Sequence, residues 1–420
     1  MPSSAHVLLR RVCIFIVFSL VSVSPAWAEP PKEVESTPGS VVAIGDVHGD
    51  FDDFVAILQK VGLIDAQHHW TGGKTTFVQV GDLLDRGPKP REVMDLLMAI
   101  EKEAAQAGGR VVCLLGNHEV MNIMGDLRYV TPVNYASFAD AKSEERQRSG
   151  YQTYVKWRSN HPAVLAELPQ PMEMTEAEWM ARHPVGYIEQ REAYTPNGIY
   201  GKWLREHSAL AEIGGVVFLH GGISPDVAKM KIDKINSQIR DEIKNFDATK
   251  QYLQDEKIIL PFFNIQEITA LVQAEIIAER KSRMPADQQR QTRLIQFLDG
   301  YGRWLSVKVD GPLWFRGYDQ WSEEEGTALM GKILDALKAS HIAVGHTPQN
   351  QKGGRIRPRF GDKVFLIDTG MLSSYYPGGR ASALQILNDA KFTANYMDEQ
   401  VVLLAPAQKE EVAQPVAAPR

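Results

Sequence analysis

The chain has 420 residues, of which 44% are hydrophobic and 23% are charged, and its formal net charge is −6. These values exclude a disordered or fibrous protein and are typical of a soluble globular chain that is long enough for one large domain. The acidic balance argues against nucleic-acid binding, which depends on clustered Lys and Arg, so we predict no nucleic-acid partner.

The N-terminal segment has the pattern of a secretory signal peptide. Arg10 and Arg11 precede an apolar stretch at 12–23, and an Ala-x-Ala cleavage pattern ends at Ala28. A transmembrane anchor is the alternative, but a stretch of about 12 residues is shorter than the roughly 20 that span a bilayer. We therefore predict a cleaved signal peptide at 1–28 and no membrane span in the mature chain. The predicted location is a bacterial periplasm, with secretion as the alternative.

Composition also marks the two ends of the mature chain. Residues 29–39 are rich in Pro and Glu and are predicted to be flexible, and 405–420 lack apolar periodicity and are predicted to form a disordered tail. A single domain is predicted between them at 40–404. Cys113 would be the one cysteine left after cleavage, so we predict no internal disulfide. Because Cys113 lies in an apolar run, we expect a buried core thiol rather than a nucleophile.

Short apolar runs alternate with amphipathic stretches in the first part of the domain. An amphipathic helix is predicted from Phe51 to Leu58, and a second one, with Pro90 in its first turn, carries apolar residues from Val93 to Ile100. The apolar runs that predict buried strands are 41–45, 75–81 and 110–116. Strands that alternate with helices of this length indicate right-handed βαβ units with parallel pairing.

The alternation of predicted strands and helices is lost further along the chain and then returns. Residues 123–210 show no single clean period and are predicted to be a largely helical insertion. A second helical insertion is predicted at about 226–305, with the clearest helix at 265–280. Ser322 opens a capping box for a helix that runs towards Ser340. Later strands are predicted at 215–221, 341–345, 363–368 and 400–404.

Polar side chains follow each of five predicted strands. The motifs are GDVHGD at 45–50, GDLLDRG at 81–87, GNHE at 116–119, HGG at 220–222 and GHTP at 345–348. In open α/β sheets ligands bind outside the carboxyl ends of the strands, so these five loops are expected to converge. Their glycines would let the backbone turn sharply and approach a ligand closely.

The residue types in these loops predict a metal centre. Imidazole and carboxylate together favour Mn, Fe or Zn over Ca or Mg. The candidate ligands are Asp46, His48, Asp82, Asn117, His220 and His346. Six side chains are more than one ion normally needs, so we predict two ions joined by a bridging carboxylate, roughly 3.5–4 Å apart as in two-metal hydrolases.

The five motifs, in this order, resemble those of the calcineurin-like metallophosphoesterases, most of all the phosphoprotein phosphatase branch. The longer strings GNHEVMNIMGDLRYV, HGGIS and GPLWFRGY are similar to the bacterial Shewanella-like protein phosphatases. The resemblance implies an α/β fold in which central mixed β-sheets form a β-sandwich flanked by helices. The segment between GNHE and HGG is longer than this branch leads us to expect, so its role is not implied.

The resemblance also implies roles for single residues. It assigns Asp46, His48 and Asp82 to a first metal, and it makes Asp82 the bridge to a second. The second metal would be completed by Asn117, His220 and His346. A hydroxide between the ions would be the nucleophile.

The same resemblance assigns residues to the substrate. Arg86 would bind the phosphoryl oxygens, His118 would protonate the leaving alkoxide, and Asp85 would hold His118. Arg316 is the candidate for a second phosphate clamp. The other possible role for Arg86 is an ion pair with an acid such as Glu119, which is itself expected to accept hydrogen bonds rather than bind a metal.

Three functions remain open at this point. The first is a phosphatase acting on phosphorylated proteins or small phosphoesters. The second is a hydrolase of diadenosine polyphosphates or of another phosphoanhydride or phosphodiester. The third is a metal-binding or phosphoprotein-binding module without turnover, which would require a missing ligand or acid, and none is missing. The sequence leaves the oligomeric state open.

Overall fold

A computed structural model describes residues 40–282, 287–388 and 390–406. The predicted signal peptide at 1–28, the segment at 29–39 and nearly all of the tail at 405–420 lie outside these residues. Of the helices that are described, none combines the length and the apolar character that crossing a membrane requires.

The strands and helices follow one another in an order that begins with strand–helix alternation. The strands are β1 (Ser40–Ile44), β2 (Thr76–Gln79), β3 (Arg110–Cys113), β4 (Leu210–Ile213), β5 (Val216–Leu219), β6 (His341–Val344), β7 (Arg357–Arg359), β8 (Val364–Leu366), β9 (Ser382–Leu387), β10 (Lys391–Tyr396) and β11 (Gln400–Leu404). The helices are α1 (Phe51–Lys60), α2 (Pro90–Gln106), α3 (Asn117–Met124), α4 (Pro132–Ser137), α5 (Ser143–Ser159), α6 (Pro162–Leu165), α7 (Glu176–Arg182), α8 (Tyr187–Ala193), α9 (Ile199–Glu206), α10 (Ile232–Asp255), α11 (Ile265–Lys281), α12 (Gln288–Tyr301), α13 (Gly317–Gln320) and α14 (Glu323–Leu337).

Two mixed sheets organise the fold. The first has the order β11-β10-β9-β1-β2-β3, and the second has the order β4-β5-β6-β8-β7. In the first sheet β1, β2 and β3 are parallel, and β9 joins β1 in the antiparallel sense. In the second sheet β5, β6 and β8 are parallel. The parallel strands end on the same side of each sheet, which is where the predicted motifs lie.

The two sheets pack face to face as a sandwich. Val78 of the first sheet and Phe218 of the second belong to one buried apolar cluster. Phe365 of β8 stacks on Phe392 of β10, with ring centroids 4.6 Å apart. Apolar side chains of the helices cover the outer faces, where Phe54 of α1 packs in a second cluster. The predicted α/β sandwich flanked by helices is therefore confirmed.

The two segments predicted to be helical insertions, 123–210 and 226–305, are largely helical, as predicted. Helices α4 to α9 lie between α3 and β4, and α10 to α12 precede the loop that leads to α13. Their interiors are aromatic: Trp179 is fully buried and stacks on His183, and Tyr154 stacks on Trp157. The aromatic residues of the first segment therefore form a core for the helices.

Seven of the observed strands were predicted, and four were not. Strands β4 and β7 are short and stand at the edges of the second sheet, and β7 carries Arg357, Pro358 and Arg359, which do not form an apolar run. Strands β9 and β10 pair over their whole length and are buried on both faces over most of that length. The sequence of β9, Ser-Ala-Leu-Gln-Ile-Leu, lacks the apolar–polar alternation of a half-exposed strand, whereas β10, Lys-Phe-Thr-Ala-Asn-Tyr, does alternate and was overlooked.

Candidate active site

Loops after β1, β2, β3, β5 and β6 bring the predicted metal-binding side chains to one place. All of them are buried, and they are Asp46, His48, Asp82, Asn117, His220 and His346. The backbone approaches them closely. A Cβ on Gly116 would lie 2.3 Å from Oδ1 of Asp82, and one on Gly345 would lie 2.3 Å from Oδ1 of Asp46. Glycine at these two positions therefore leaves room for the carboxylates.

The first group of candidate ligands is built around His48. Its Nδ1 lies 2.8 Å from the main-chain oxygen of Leu84, so Nδ1 carries the hydrogen and donates it. Its Nε2 faces Oδ2 of Asp46 at 3.8 Å and Oδ2 of Asp82 at 3.7 Å, and it also contacts the guanidinium of Arg86. Because a guanidinium only donates, the lone pair on Nε2 accepts from Arg86 here, with one oxygen of each of two carboxylates nearby.

The second group shares Asp82 with the first. Nε2 of His220 lies 3.2 Å from Oδ2 of Asp82, 2.9 Å from Oδ1 of Asn117 and 3.1 Å from Nδ1 of His346. The same Asp82 oxygen therefore faces a histidine nitrogen of each group.

Hydrogen bonds to the main chain fix the histidine tautomers in the second group. Nδ1 of His220 donates to the oxygen of Val80 at 3.1 Å, and Nε2 of His346 donates to the oxygen of Trp314 at 3.1 Å. The remaining ring nitrogens, which face each other, are then acceptors in the neutral rings. Asn117 directs its oxygen towards them, since its amide nitrogen contacts the sulfur of Met121.

These donors fit metal ions. Acceptors that face one another without a hydrogen between them repel, and a cation among them removes the repulsion. Ligands held about 2.1 Å from an ion lie about 3 Å from each other, close to the separations seen in the second group. Neutral imidazole, carboxylate and amide oxygen are ligands of Mn, Fe and Zn. The positions of all six predicted ligands, and the tautomers of the three histidines among them, are therefore compatible with metal binding.

Charge and burial set the protonation of these groups. Burial raises the pKa of Asp82, but His220 and His118 outweigh it and hold this pKa well below its ordinary value. Burial and the charge of Arg86 lower the pKa of His48 well below its ordinary value, and burial and His220 do the same to the pKa of His346. Ionised Asp82 together with the neutral imidazoles of His48 and His346 is a combination that suits metal binding.

His118 lies beside the candidate ligands but makes different contacts. Its Nδ1 donates to Oδ2 of Asp85 at 2.6 Å, so Nε2 is left to face Oδ2 of Asp82 at 3.7 Å. Burial lowers the pKa of His118, but Asp82 and Asp85 more than compensate and raise it above its ordinary value. A buried imidazole that favours its protonated form is suited to act as a general acid.

Asn122, which the sequence did not single out, supports this pair. It is one turn beyond His118 on α3, and its amide nitrogen donates to both oxygens of Asp85 at 3.0 and 3.1 Å and to the oxygen of His118 at 3.0 Å. Its own oxygen accepts from Gln190 at 2.6 Å. The spacing of four residues on a helix was the available signal.

Arg86 lies at the mouth of the site among aromatic rings. One of its η nitrogens is 3.1 Å from Nε2 of His118, and another contacts the hydroxyl of Tyr376. Its guanidinium carbon is 5.0 to 5.5 Å from the ring centroids of Tyr129, Tyr375 and Tyr376. Arg86 is therefore next to the predicted acid, in a position to reach a substrate.

Glu119 does not pair with Arg86. Its carboxylate accepts from the main-chain nitrogens of Asp82, Leu83 and Gly116 at 2.7 to 2.9 Å. It thus anchors the loop that carries Asp82, in agreement with the expectation that it accepts hydrogen bonds rather than binds a metal.

Arg316 is close to the second group through the main chain. Nη1 donates to the oxygen of His346 at 2.7 Å and to Oγ1 of Thr347 at 3.2 Å. These bonds hold the loop that presents His346. Its predicted role as a second phosphate clamp stays a prediction.

Asp368 is a further buried acid at the site that sequence reasoning missed. It follows β8, and its Oδ2 is buried without a hydrogen-bond partner among the described residues. Burial raises the pKa of Asp368 to about 6, and Asp368 in turn helps burial to raise the pKa of Asp46. The available signal was its place at the end of a predicted strand, as with the other acids.

Backbone strain concentrates in these loops. Five site residues have left-handed φ angles between 48° and 66°, and they are His48, Asp82, Asp85, Arg86 and His346. Such angles cost of order 1 kcal/mol or more in residues other than glycine. A fold that maintains them holds its side chains in position before any ligand arrives.

Comparisons with known proteins point to one family. A sequence profile of the calcineurin-like phosphoesterase family matches residues 39–350. The chain is 32% identical over 219 residues to Shewanella-like protein phosphatase 2 of Arabidopsis thaliana, which covers 50% of this chain and 53% of that protein. It is 25% identical over 338 residues to Shewanella-like protein phosphatase 1 of Plasmodium berghei, covering 79% of this chain and 67% of that one.

A solved structure is similar as well. It is the crystal structure of the cold-active protein-tyrosine phosphatase of a psychrophilic Shewanella species, with a TM-score of 0.54 and 25% identity over 87% of this chain and 81% of that one. The sheets, the site and the profile that spans 39–350 lead to the same result. The chain belongs to the calcineurin-like phosphoesterase family, has Shewanella-like protein phosphatases among its homologues, and is a phosphatase, a hydrolase of phosphomonoesters.

Proposed function

We propose that the protein is a dinuclear metal-dependent phosphatase whose substrates are phosphorylated proteins. The proposal of two metal ions rests on Oδ2 of Asp82, which both groups of ligands share. This oxygen lies 3.7 Å from Nε2 of His48 and 3.2 Å from Nε2 of His220. One carboxylate oxygen that faces the acceptors of two groups is what a bridged pair of ions requires.

The two groups of side chains divide the work of binding the metals. Asp46 and His48, with Asp82, would hold one ion, and Asn117, His220 and His346, with Asp82, would hold the other. When bound, two such ions lower the pKa of a water molecule and withdraw charge from a phosphoryl group. Manganese, iron and zinc all suit this mixture of nitrogen and oxygen ligands.

The remaining site residues act on the substrate. Arg86 binds the phosphoryl oxygens and stabilises the charge that grows on them, because a guanidinium matches them with two parallel hydrogen bonds. His118 donates its Nε2 proton to the departing oxygen, and Asp85, bonded to Nδ1 at 2.6 Å, holds the ring in the orientation that this transfer needs.

The rim of the site supports a protein substrate. Tyr129 and Tyr375 flank Arg86 and expose 37% and 52% of their surface. Exposed tyrosines beside a phosphate-binding arginine offer apolar contact to the side chains around a phosphorylated residue. The similar proteins from Arabidopsis thaliana, Plasmodium berghei and Shewanella are named protein phosphatases, which supports the same substrate class.

A substrate panel tests this proposal. We expect the purified protein with Mn²⁺ to release phosphate from phosphopeptides and to cleave diadenosine tetraphosphate poorly. The panel includes matched peptides that carry phosphotyrosine, phosphoserine or phosphothreonine. If diadenosine tetraphosphate is cleaved well and the phosphopeptides hardly at all, the proposed substrate class is wrong and the alternative hydrolase is correct.

We also propose export to the periplasm, which rests on the signal-peptide pattern at 1–28. Fractionation of bacterial cells that express the full chain is the test, since a protein recovered in the cytoplasm with Met1 intact would contradict it.

A further inference from the structure

A cavity of about 420 Å³ lies among the insertion helices, away from the candidate metal ligands. Arg191 of α8, Arg205 of α9, and Asp247 and Lys250 of α10 contribute charged side chains to its wall. Ile123 of α3, the helix that begins with Asn117 and His118, is also part of the wall. The cavity is therefore rich in positive charge.

Arg205 and Asp247 neutralise each other. The guanidinium of Arg205 donates to both oxygens of Asp247 at 2.8 Å, and its Nη1 donates to the main-chain oxygens of Tyr194 at 3.0 Å and Gly201 at 2.7 Å. This pair is complete within the protein, so the carboxylate of Asp247 is already engaged.

Arg191 has no such partner. Only 2% of its surface is exposed, and among the described residues its hydrogen bond runs from Nη1 to the main-chain oxygen of Asn122 at 2.7 Å. Its Nε is buried and makes no hydrogen bond within the described part of the chain, where no ion pair involves Arg191 either. A buried guanidinium that lacks a counter-ion is strongly destabilising, and this one lies at the wall of a cavity.

Lys250 adds a second uncompensated cation. Among residues 40–282, 287–388 and 390–406, no side chain forms an ion pair or hydrogen bond with it. Burial and the nearby charge of Arg191 lower the pKa of Lys250 to about 7. Since Asp247 is engaged by Arg205, the cavity has an excess of about two positive charges when Lys250 is protonated.

We propose that this cavity binds a dianion of the phosphate class, held by Arg191 and Lys250. Such an anion supplies the missing counter-charge and an acceptor for the unpaired Nε–H of Arg191. A volume of about 420 Å³ exceeds that of a phosphate group, so an organic group attached to the phosphate can also be accommodated. Asn197 and Gln251, which also line the cavity, are polar and exposed to solvent.

The ligand can come from two sources that share this chemistry. One is free orthophosphate, which a phosphatase itself produces, and the other is a small phosphorylated metabolite. Orthophosphate and phenylphosphonate, which carries an aromatic group on a non-hydrolysable phosphonate, represent the two. Tighter binding of phenylphosphonate indicates a phosphorylated metabolite, and tighter binding of orthophosphate indicates the free ion.

Calorimetric titration of the metal-loaded protein with orthophosphate tests the site. The variant Lys250→Met removes one cation, and Lys234→Met, an exposed lysine on the same helix α10 that does not line the cavity, is the matched control. We expect the wild type and Lys234→Met to show a binding event separate from phosphate binding at the metal centre, and Lys250→Met to weaken this event by about tenfold or more. Identical isotherms for all three proteins would overturn the proposal.

A second measurement requires no substitution. Crystals of the wild-type protein soaked in tungstate, a heavy analogue of phosphate, are expected to show anomalous scattering within hydrogen-bond distance of Arg191 and Lys250. A tungstate peak at the metal centre with none in the cavity would contradict the proposal. Both measurements are independent of the proposed function, because the cavity shares no residue with the candidate metal ligands.

Discussion

Two neighbouring residues at the start of α3, Asn117 and His118, make different contacts. Asn117 directs its oxygen to Nε2 of His220 at 2.9 Å, whereas His118 donates to Asp85 and presents Nε2 towards Arg86. Successive side chains on a helix point about 100° apart, so adjacent residues reach different partners. The motif GNHE alone leaves open which neighbour would bind the metal, and the contacts distinguish them.

We predict that Asn117→Ala and His118→Asn have separable effects. Loss of Asn117 removes an oxygen ligand, so we expect fewer than two metal ions per chain. His118→Asn is expected to keep both ions and to slow hydrolysis by about 10²–10⁴-fold, the contribution of a general acid. Metal analysis of each purified variant beside steady-state rates measures both effects. Loss of a metal from His118→Asn would show that the two roles are reversed.

A second prediction concerns the side chain of Arg86. Removing a charge-assisted contact to the phosphoryl group is expected to lower kcat/KM for Arg86→Ala by about 10–100-fold while the metal content stays unchanged. Arg148→Ala is the control, because Arg148 is 60% exposed and pairs with Glu144 at 3.6 Å within helix α5, outside the candidate site. Equal losses in the two variants would argue against a specific role for Arg86.

Among the elements, the strand ends were the most predictable from sequence. Each apolar run before a glycine became a strand that places its loop at the site, since parallel strands align their carboxyl ends. Asn122 and Asp368 were missed because their roles depend on partners far away in sequence: Asp85 for Asn122, and Asp46 for Asp368. Single-sequence patterns do not encode such contacts.

For the insertion at 123–210, the sequence predicted that the segment is helical but not how its helices pack. Its helices pack through aromatic clusters such as Trp179 on His183, whose ring centroids are 4.2 Å apart. No single period in the sequence reveals these contacts, because the helices bury different faces against several neighbours. The same packing buries a titratable group, with a measurable consequence for stability.

We predict a pH-dependent contribution of His183 to stability. Burial lowers the pKa of His183 to about 4, below its ordinary value of 6.5, so the unfolded chain takes up a proton at higher pH than the folded one. Relative to His183→Gln, the wild-type free energy of unfolding should therefore fall by on the order of 3 kcal/mol as the pH drops from 6.5 to 4. Urea unfolding across this range measures the difference. Parallel pH profiles for the two proteins would contradict the prediction.

At the scale of the whole molecule, the site joins distant parts of the chain. The main-chain nitrogen of His346 donates to Oδ1 of Asp46 at 3.0 Å, across 300 residues of sequence. A centre built from both sheets forms only when the fold is complete, so metal binding is expected to stabilise the native state. The order of the motifs allowed this convergence to be predicted, whereas the cavity between the insertion helices had no signal in the sequence.

The central claim is that two metal ions bridged by Asp82 catalyse phosphate release. The most direct test is to remove the metals with a chelator, add Mn²⁺ back in known equivalents, and follow phosphate release from a phosphopeptide together with the bound metal per chain. We expect activity to be absent without metal and to reach its maximum only at two equivalents. Asp82→Asn is expected to stay almost inactive at every equivalent. Full activity at one equivalent, or unchanged activity in Asp82→Asn, would contradict the two-metal centre.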